Sequence, residues 1–211
     1  MKVFIAGATG RVAHELILRL SKKGYEVVAG ARVPEKVQID NVKAVHLDLC
    51  ASAKELADVI RGFDAVYFVA GSRGKNLLQV DAFGAVKLMQ ACEINGIKRF
   101  ILLSSIFADE PEKWVDPALV NIMDYNIAKF FADQWLIRNT NLDYTIIQPG
   151  NLQEIKASGK VNLHVEEKSV PNAIGNVAMV LAEVLEASNT FGKIIKMSDG
   201  NEDISTAVKE Y

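Results

Sequence analysis

The segment Tyr125-Asn126-Ile127-Ala128-Lys129 sets a phenol and an ammonium four residues apart, one turn from each other on a helix face. A phenol is a sluggish acid at neutral pH unless a cation stands near it. Held together, the two suit the delivery of a proton to a carbonyl oxygen as hydride reaches the carbon. Upstream, residues 99–104 (RFILLS) form an apolar run that ends in Ser104-Ser105. Either hydroxyl could hydrogen-bond a substrate carbonyl. Ser105, one step beyond the run, is the expected one, with Ser104 bonded to its neighbours. Tyr-x-x-x-Lys is a cheap pattern by itself; its weight comes from a single occurrence downstream of a serine at a strand end. Ile127, Phe131 and Trp135 make a separate stripe, expected in the core.

Hydride chemistry needs a dinucleotide, and the start of the chain has the residues to hold one. An apolar run at 3–6 passes into Gly7-Ala8-Thr9-Gly10-Arg11-Val12-Ala13, a G-x-x-G-x-x-A variant of the dinucleotide fingerprint, with a helical pattern over Arg11–Lys22 behind it. Gly7 permits a tight turn, Gly10 lets a pyrophosphate approach the backbone, and Ala13 lets the helix pack close. The helix start, with Thr9, Arg11 and Val12, offers unpaired N–H groups and partial positive charge to the phosphates. A plain glycine turn is the competing reading, and the strand before and helix behind favour the nucleotide. The second strand, expected over 25–29, runs into Gly30-Ala31-Arg32, with no acid between 29 and 33. Arg32, helped by Arg11 and Lys36, would meet a 2′-phosphate, so NADP is expected over NAD; a solvated loop arginine is the alternative. Asp48-Leu49 would lie beside the adenine, unless Asp48 only caps the next helix. Ala70-Gly71 is a further place for backbone to pass close to a cofactor.

These groups need a scaffold, and the apolar pattern supplies one. Further strands are expected over 43–47, 65–70, 144–148 and 193–197. Helices are expected over 52–61 with Ser52 as N-cap, from the fourth strand to about Asn95, over roughly 118–139, and near 174–187. Strands apolar on both faces that alternate with helices imply an α/β protein: a Rossmann-type doubly wound parallel sheet. No linker divides the chain, so 1–211 reads as one domain, with roughly 150–172 as a small substrate cap and a polar tail.

In 211 residues the net charge is −2, which argues against nucleic acid and anionic membrane as partners. No apolar run is long enough to span a bilayer, and the N-terminal run is too short for a signal peptide. Cys50 and Cys92 are far apart, and His14, His46 and His164 are scattered, so a cytoplasmic protein with free thiols and no metal is expected. A small-molecule substrate is the expected partner; oligomeric state is not legible.

Taken together, GATGRVA, the Ser104-Ser105 pair and YNIAK resemble the short-chain dehydrogenase/reductase superfamily. The match is closest to its atypical branch, called NAD(P)-dependent epimerase/dehydratase-like or NmrA-like. It extends through NGIKRFILLSS and LDYTIIQPGNL. The resemblance implies that Tyr125 is the general acid/base, Lys129 tunes it and clasps the ribose, and Ser105 orients the carbonyl. It implies that Ser104, Pro149, Gly150 and Asn151 lie beside the cofactor. The family's fourth catalytic group, an asparagine, is matched here by Asp81, a departure that bears on the usual proton relay. The short C-terminal region implies a small carbonyl, quinone or flavin-like substrate rather than a sugar nucleotide. The alternative implied by the same resemblance is a non-catalytic, NADPH-sensing regulator of the NmrA type.

Overall fold

Segments apolar at every position cannot face water on either side. In the computed structural model, which describes residues 1–167 and 170–211, they form the middle of one sheet. In chain order the strands are β1 (Lys2–Ala6), β2 (Glu26–Ala31), β3 (Lys43–His46), β4 (Ala65–Phe68), β5 (Arg99–Leu103) and β6 (Asp143–Pro149). Three short strands follow, β7 (Leu152–Gln153), β8 (Lys160–Asn162) and β9 (Asn172–Ala173), and then β10 (Lys193–Asp199) and β11 (Glu202–Asp203). The helices are α1 (Arg11–Lys22), α2 (Ala53–Val59), α3 (Phe83–Ile94), α4 (Pro117–Val120), α5 (Met123–Asn139), α6 (Ile174–Glu183) and α7 (Ile204–Glu210).

The main sheet runs β11-β8-β10-β6-β5-β4-β1-β2-β3. The seven strands from β10 to β3 are parallel to their neighbours, while β8 and β11 are added antiparallel at one edge. The chain winds outward in both directions from β1, so strand order reverses between β1 and β4. Their carboxyl ends are level, with Ala6 opposite both Gly30 and Phe68. That is the place where a doubly wound sheet opens a crevice for ligand.

Each face of the sheet has its own core. On one face Val12, Leu16, Ile17 and Leu20 of α1 meet Val177 and Leu181 of α6 over Val3, Ile5 and Tyr67. On the other, Leu56, Leu88, Met89 and Leu136 from α2, α3 and α5 cover Phe4, Val66, Phe68 and Phe100. Arg99 ties the layers together. Its guanidinium donates to Leu185 O (2.9 Å), Val184 O (2.6 Å), Asp143 O (2.7 Å) and Thr145 Oγ1 (2.9 Å). Two of those carbonyls end α6, where a cation is favoured. Burial lowers the Arg99 pKa to about 10. The α2 start has the expected Ser52 cap, with Glu55 completing a capping box.

Several expectations are corrected. The helix expected over 118–139 is broken at Asn121 and Ile122 into α4 and α5. A widened, π-type turn over Leu77–Ala82 precedes α3. The polar tail holds β11 and α7: Asp203 caps the helix, and Ile204, Ala207 and Val208 bury one face. Of the stripe Ile127, Phe131 and Trp135, only Ile127 packs on a buried cluster, that of Ile106, Phe107, Trp114 and Leu119; Phe131 is 58% exposed and Trp135 37%. Ala128, Ala132 and Leu136 form the buried face of α5 instead, and the two alanines let the helix lie close to the sheet. In the segment expected as a cap, β7 pairs with β9 and β8 joins the main sheet, while residues 168 and 169 lie outside the described residues.

Replacing Ser52 with Ala should lower stability by about 1 kcal/mol, the usual worth of an N-cap. Arg99→Met, which orphans several buried carbonyls at once, should cost about 3 kcal/mol. Urea unfolding of the two variants checks the order.

Candidate functional site

At the switch point Gly7 adopts φ +93°, and a Cβ placed there would lie 2.4 Å from Ala70 Cα. Only glycine lets the turn after β1 press against the end of β4. The amides of Gly7 and Ala8 both donate to Gly30 O at 3.0 Å, so the turn is fastened to β2 as well. Gly10 then serves as N-cap of α1 without any side-chain cap, and the first turn holds no acid. The first helical bond is His14 N to Gly10 O. The amides of Arg11, Val12 and Ala13 therefore precede it with no partner inside the helix. This cradle fits a phosphate group: bare donors, the positive end of a helix, and backbone free of side chains.

The cradle opens into a cleft of about 560 Å³. Gly10, Arg11 and Val12 form its floor. Ala70 and Gly71 line the wall after β4, Ser104 and Ser105 the wall after β5, and Pro149, Gly150 and Asn151 the wall after β6. From α5 come Tyr125 and Lys129. The Lys129 ammonium is buried, donates to Leu103 O at 2.9 Å, and lies 5.6 Å from the Tyr125 ring centre and 5.7 Å from that of Phe68. Cation and phenol are thus brought together one helical turn apart. Phe107, at φ +56°, turns the chain after Ser105, and its carbonyl is held by the Trp114 indole at 2.9 Å.

Behind this wall is a polar network. The Ser104 hydroxyl donates to Asp133 Oδ2 at 2.7 Å. Gln148 Nε2 donates to the same oxygen at 3.0 Å and to Asp109 Oδ1 at 2.9 Å. Asp133 is fully buried, and its Oδ1 and the Gln148 Oε1 have no partner. Burial raises the Asp133 pKa to about 7, against the opposing pull of Ser104, Gln148 and Lys129.

Not every expected residue lines the cleft. Asp81 lies buried beneath the loop after β4, with both carboxylate oxygens on Ser72 N (3.2 and 3.0 Å). The widened turn before α3 carries it there, and it orders backbone instead of facing the cleft. Arg32 is exposed at the end of β2, and its carbonyl meets His46 Nδ1 at 3.1 Å. Asp48 accepts from Cys50 N at 2.9 Å in a local turn, and Leu49 is turned into the core. Arg11 is paired with Glu154 Oε1 at 2.9 Å. Gly7 shapes the turn from below, and Thr9 is exposed beside it.

Residues that sequence reasoning missed include Arg73, Ile106, Leu119, Ile122 and Leu152, all lining the cleft. Asp133 had a usable signal, because Tyr125, Lys129 and Asp133 follow each other at four-residue spacing. Arg73 had none, since loop residues carry no periodicity.

A glycine turn and an uncapped helix at the switch point of a doubly wound sheet define a dinucleotide-binding α/β protein. The chain belongs to the NAD(P)H-binding family, whose sequence profile matches residues 7–188. It is 31% identical over 218 residues to the uncharacterized sugar epimerase YhfK of Bacillus subtilis, covering 100% of both chains. Among solved structures it is similar to the oxidoreductase ylbE of Lactococcus lactis, with a TM-score of 0.96 and 48% identity, covering 100% of this chain and 96% of that one. An NAD-dependent epimerase/dehydratase-like protein of Bacillus halodurans gives 0.90 and 33%, covering 100% of both. The family is oxidoreductase- or epimerase-like and takes a nicotinamide cofactor. Among the described residues no helix is long and apolar enough to cross a membrane.

Between about pH 4 and about pH 7 the folded chain keeps a proton on Asp133 that the unfolded chain has released, so this group's contribution to stability falls as pH rises through that window. Asp133→Asn removes the titration. Urea unfolding at about pH 5 and about pH 8 should show the parent losing a few kcal/mol more than the variant between the two.

Proposed function

We propose that the protein is an NADP-dependent oxidoreductase acting on a small carbonyl, quinone or flavin-like substrate. The observation that carries this reading is the convergence of Ser105, Tyr125 and Lys129 on the cleft whose floor is the uncapped start of α1. When bound, the nicotinamide supplies or accepts hydride. The chain's own groups do the rest. The α1 amides hold the diphosphate, Gly71 and Gly150 let the dinucleotide lie against backbone, and Lys129 clasps the ribose.

Tyr125 gives its hydroxyl proton to the substrate oxygen in reduction and takes it back in oxidation. The Lys129 ammonium stands beside Tyr125, 5.6 Å from its ring centre. Ser105 hydrogen-bonds the same oxygen and orients the carbonyl. Ser104 takes no part in this; its hydroxyl is engaged by Asp133. With Asp81 committed to Ser72, protons would return to Tyr125 through Lys129 and solvent rather than through a fourth side chain. NADP over NAD rests on Arg32 and on the lack of an acid at the end of β2.

Tyr125→Phe should reduce turnover at least about a hundredfold while leaving NADPH affinity nearly unchanged, measured by NADPH oxidation against a carbonyl and quinone panel and by fluorescence titration. Unchanged turnover rejects the role. If the parent protein turns over nothing on that panel yet binds NADPH and NADP⁺ with different affinities, the sensing role replaces the catalytic one. Arg32→Asp should weaken NADPH binding by about tenfold or more and NADH binding far less, read by calorimetry. Equal losses show that the 2′-phosphate is not read there.

A further inference from the structure

Arg73 stands in the loop after β4 with φ +54°, a left-handed conformation that costs an L-residue and is rare for one with a long side chain. The loop is built to hold it. Ser72 N is bound by both oxygens of the buried Asp81, Asn76 N donates to Ser72 Oγ at 3.0 Å, and Lys75 N closes a turn onto Ser72 O at 3.2 Å. Gly74, also left-handed, completes the bend. The fold thus spends a buried carboxylate and a strained residue here. Yet among the described residues the Arg73 side chain, which is exposed, makes no hydrogen bond or ion pair. Nothing in the packing accounts for a guanidinium at this position.

Its location does. Arg73 lines the cleft with Tyr125 and Ser105, and also an adjoining hollow of about 540 Å³ in front of α5. Ile122 and Tyr125 line both spaces as well, so the two meet at these three residues. The outer hollow is walled by Leu77, Val120, Ile122 and Met123. The last three remain 48%, 40% and 36% exposed, apolar surface left to water around a concavity. Charge in the inner cleft is one-sided: among the described residues Arg11, Arg73 and Lys129 line it, with no carboxylate. Arg11 is engaged by Glu154, and Lys129 is buried on Leu103 O. Among the described residues Arg73 is the cation of this cleft with no side-chain partner. Among the described residues one acid, Asp124, lines the outer hollow, at the first turn of α5.

On the reading of the cleft given above, we infer that Arg73 selects the substrate, and that the substrate is an apolar carboxylic acid. Its carboxylate pairs with the Arg73 fork, and its apolar body covers Ile122, Met123 and Leu77. Its reacting oxygen extends inward to Ser105 and Tyr125. A guanidinium matches a carboxylate through two parallel N–H bonds, which fixes orientation as well as affinity. Asp124 disfavours a second negative charge at the outer end, so the ligand carries its anion at the junction and is neutral beyond it.

The test is calorimetry on the full chain, with and without NADP⁺, using phenylbutyrate and its uncharged analogue phenylbutyramide. The acid should bind about tenfold or more tightly than the amide. Arg73→Gln should bring the ratio to about one with NADPH affinity unchanged, and Arg73→Lys should restore part of it. Arg73→Gly relieves the left-handed backbone, so it should raise the unfolding midpoint while abolishing the preference, which a structural arginine would not do. Equal binding of acid and amide to the parent, or no binding of either, overturns the inference. So does a loss of NADPH affinity in Arg73→Gln as large as the loss of acid affinity, which would make Arg73 a reader of cofactor phosphate. The two readings fail separately. An acid preference without any dinucleotide binding sinks the cofactor reading and leaves Arg73 in place. Dinucleotide binding and turnover without an acid preference does the reverse.

Discussion

A single steric constraint underlies the architecture: at Gly7 there is no room for a Cβ. The turn after β1 lies so close to Ala70 that even a methyl group would overlap backbone. This contact brings the ends of β1 and β4 together at the point where the sheet reverses its winding, and it aims the start of α1 across the gap. Two amides bound to Gly30 O hold the same turn to β2. The uncapped donors of α1 are therefore oriented by three strands at once. A looser turn would leave the helix start free to reorient, and the donors would lose the convergence that an anion requires.

The opposite wall is rigid for a different reason. Ser104, Asp133, Gln148 and Asp109 link β5, α5, β6 and the loop after β5 through buried hydrogen bonds. The face of α5 that carries Tyr125 and Lys129 is thus anchored from behind. An ionised carboxylate is expensive in such a place, and two buried acceptors without donors add to the cost. A proton on Asp133 lowers that cost. The network therefore holds the helix best with Asp133 protonated, and that hold weakens as pH rises through about 7.

How much of this could be read from the residues depended on whether the signal was local. The runs 3–6 and 65–70 are apolar at every position, and they became buried parallel strands because no polar alternation leaves a face for water. Gly7, Gly10 and the helix behind them form a contiguous motif, and its placement followed. Tyr125 and Lys129 share a face by helical spacing alone. Failures arose where a distant partner decided the outcome. Asp81 had the correct position in the chain but was claimed by Ser72 nine residues away. Phe131 and Trp135 matched a core stripe, yet alanines on the adjacent face brought α5 closer to the sheet and left the aromatics outside. The tail looked polar because only Ile204, Ala207 and Val208 form its buried side. Arg73 and Glu154 belong to loops, and only the fold shows what lies across from them.

The ion pair between Arg11 and Glu154 bears on how ligand arrives. Arg11 opens the very helix whose start receives the anion, and a carboxylate from beyond β7 already neutralises it. Both side chains of the pair are largely exposed, at 53% and 70%, so an anion that approached this guanidinium would compete with a carboxylate already beside it. Occupancy would then be felt in the segment after β7, whose tether to α1 is exchanged for a contact with the guest.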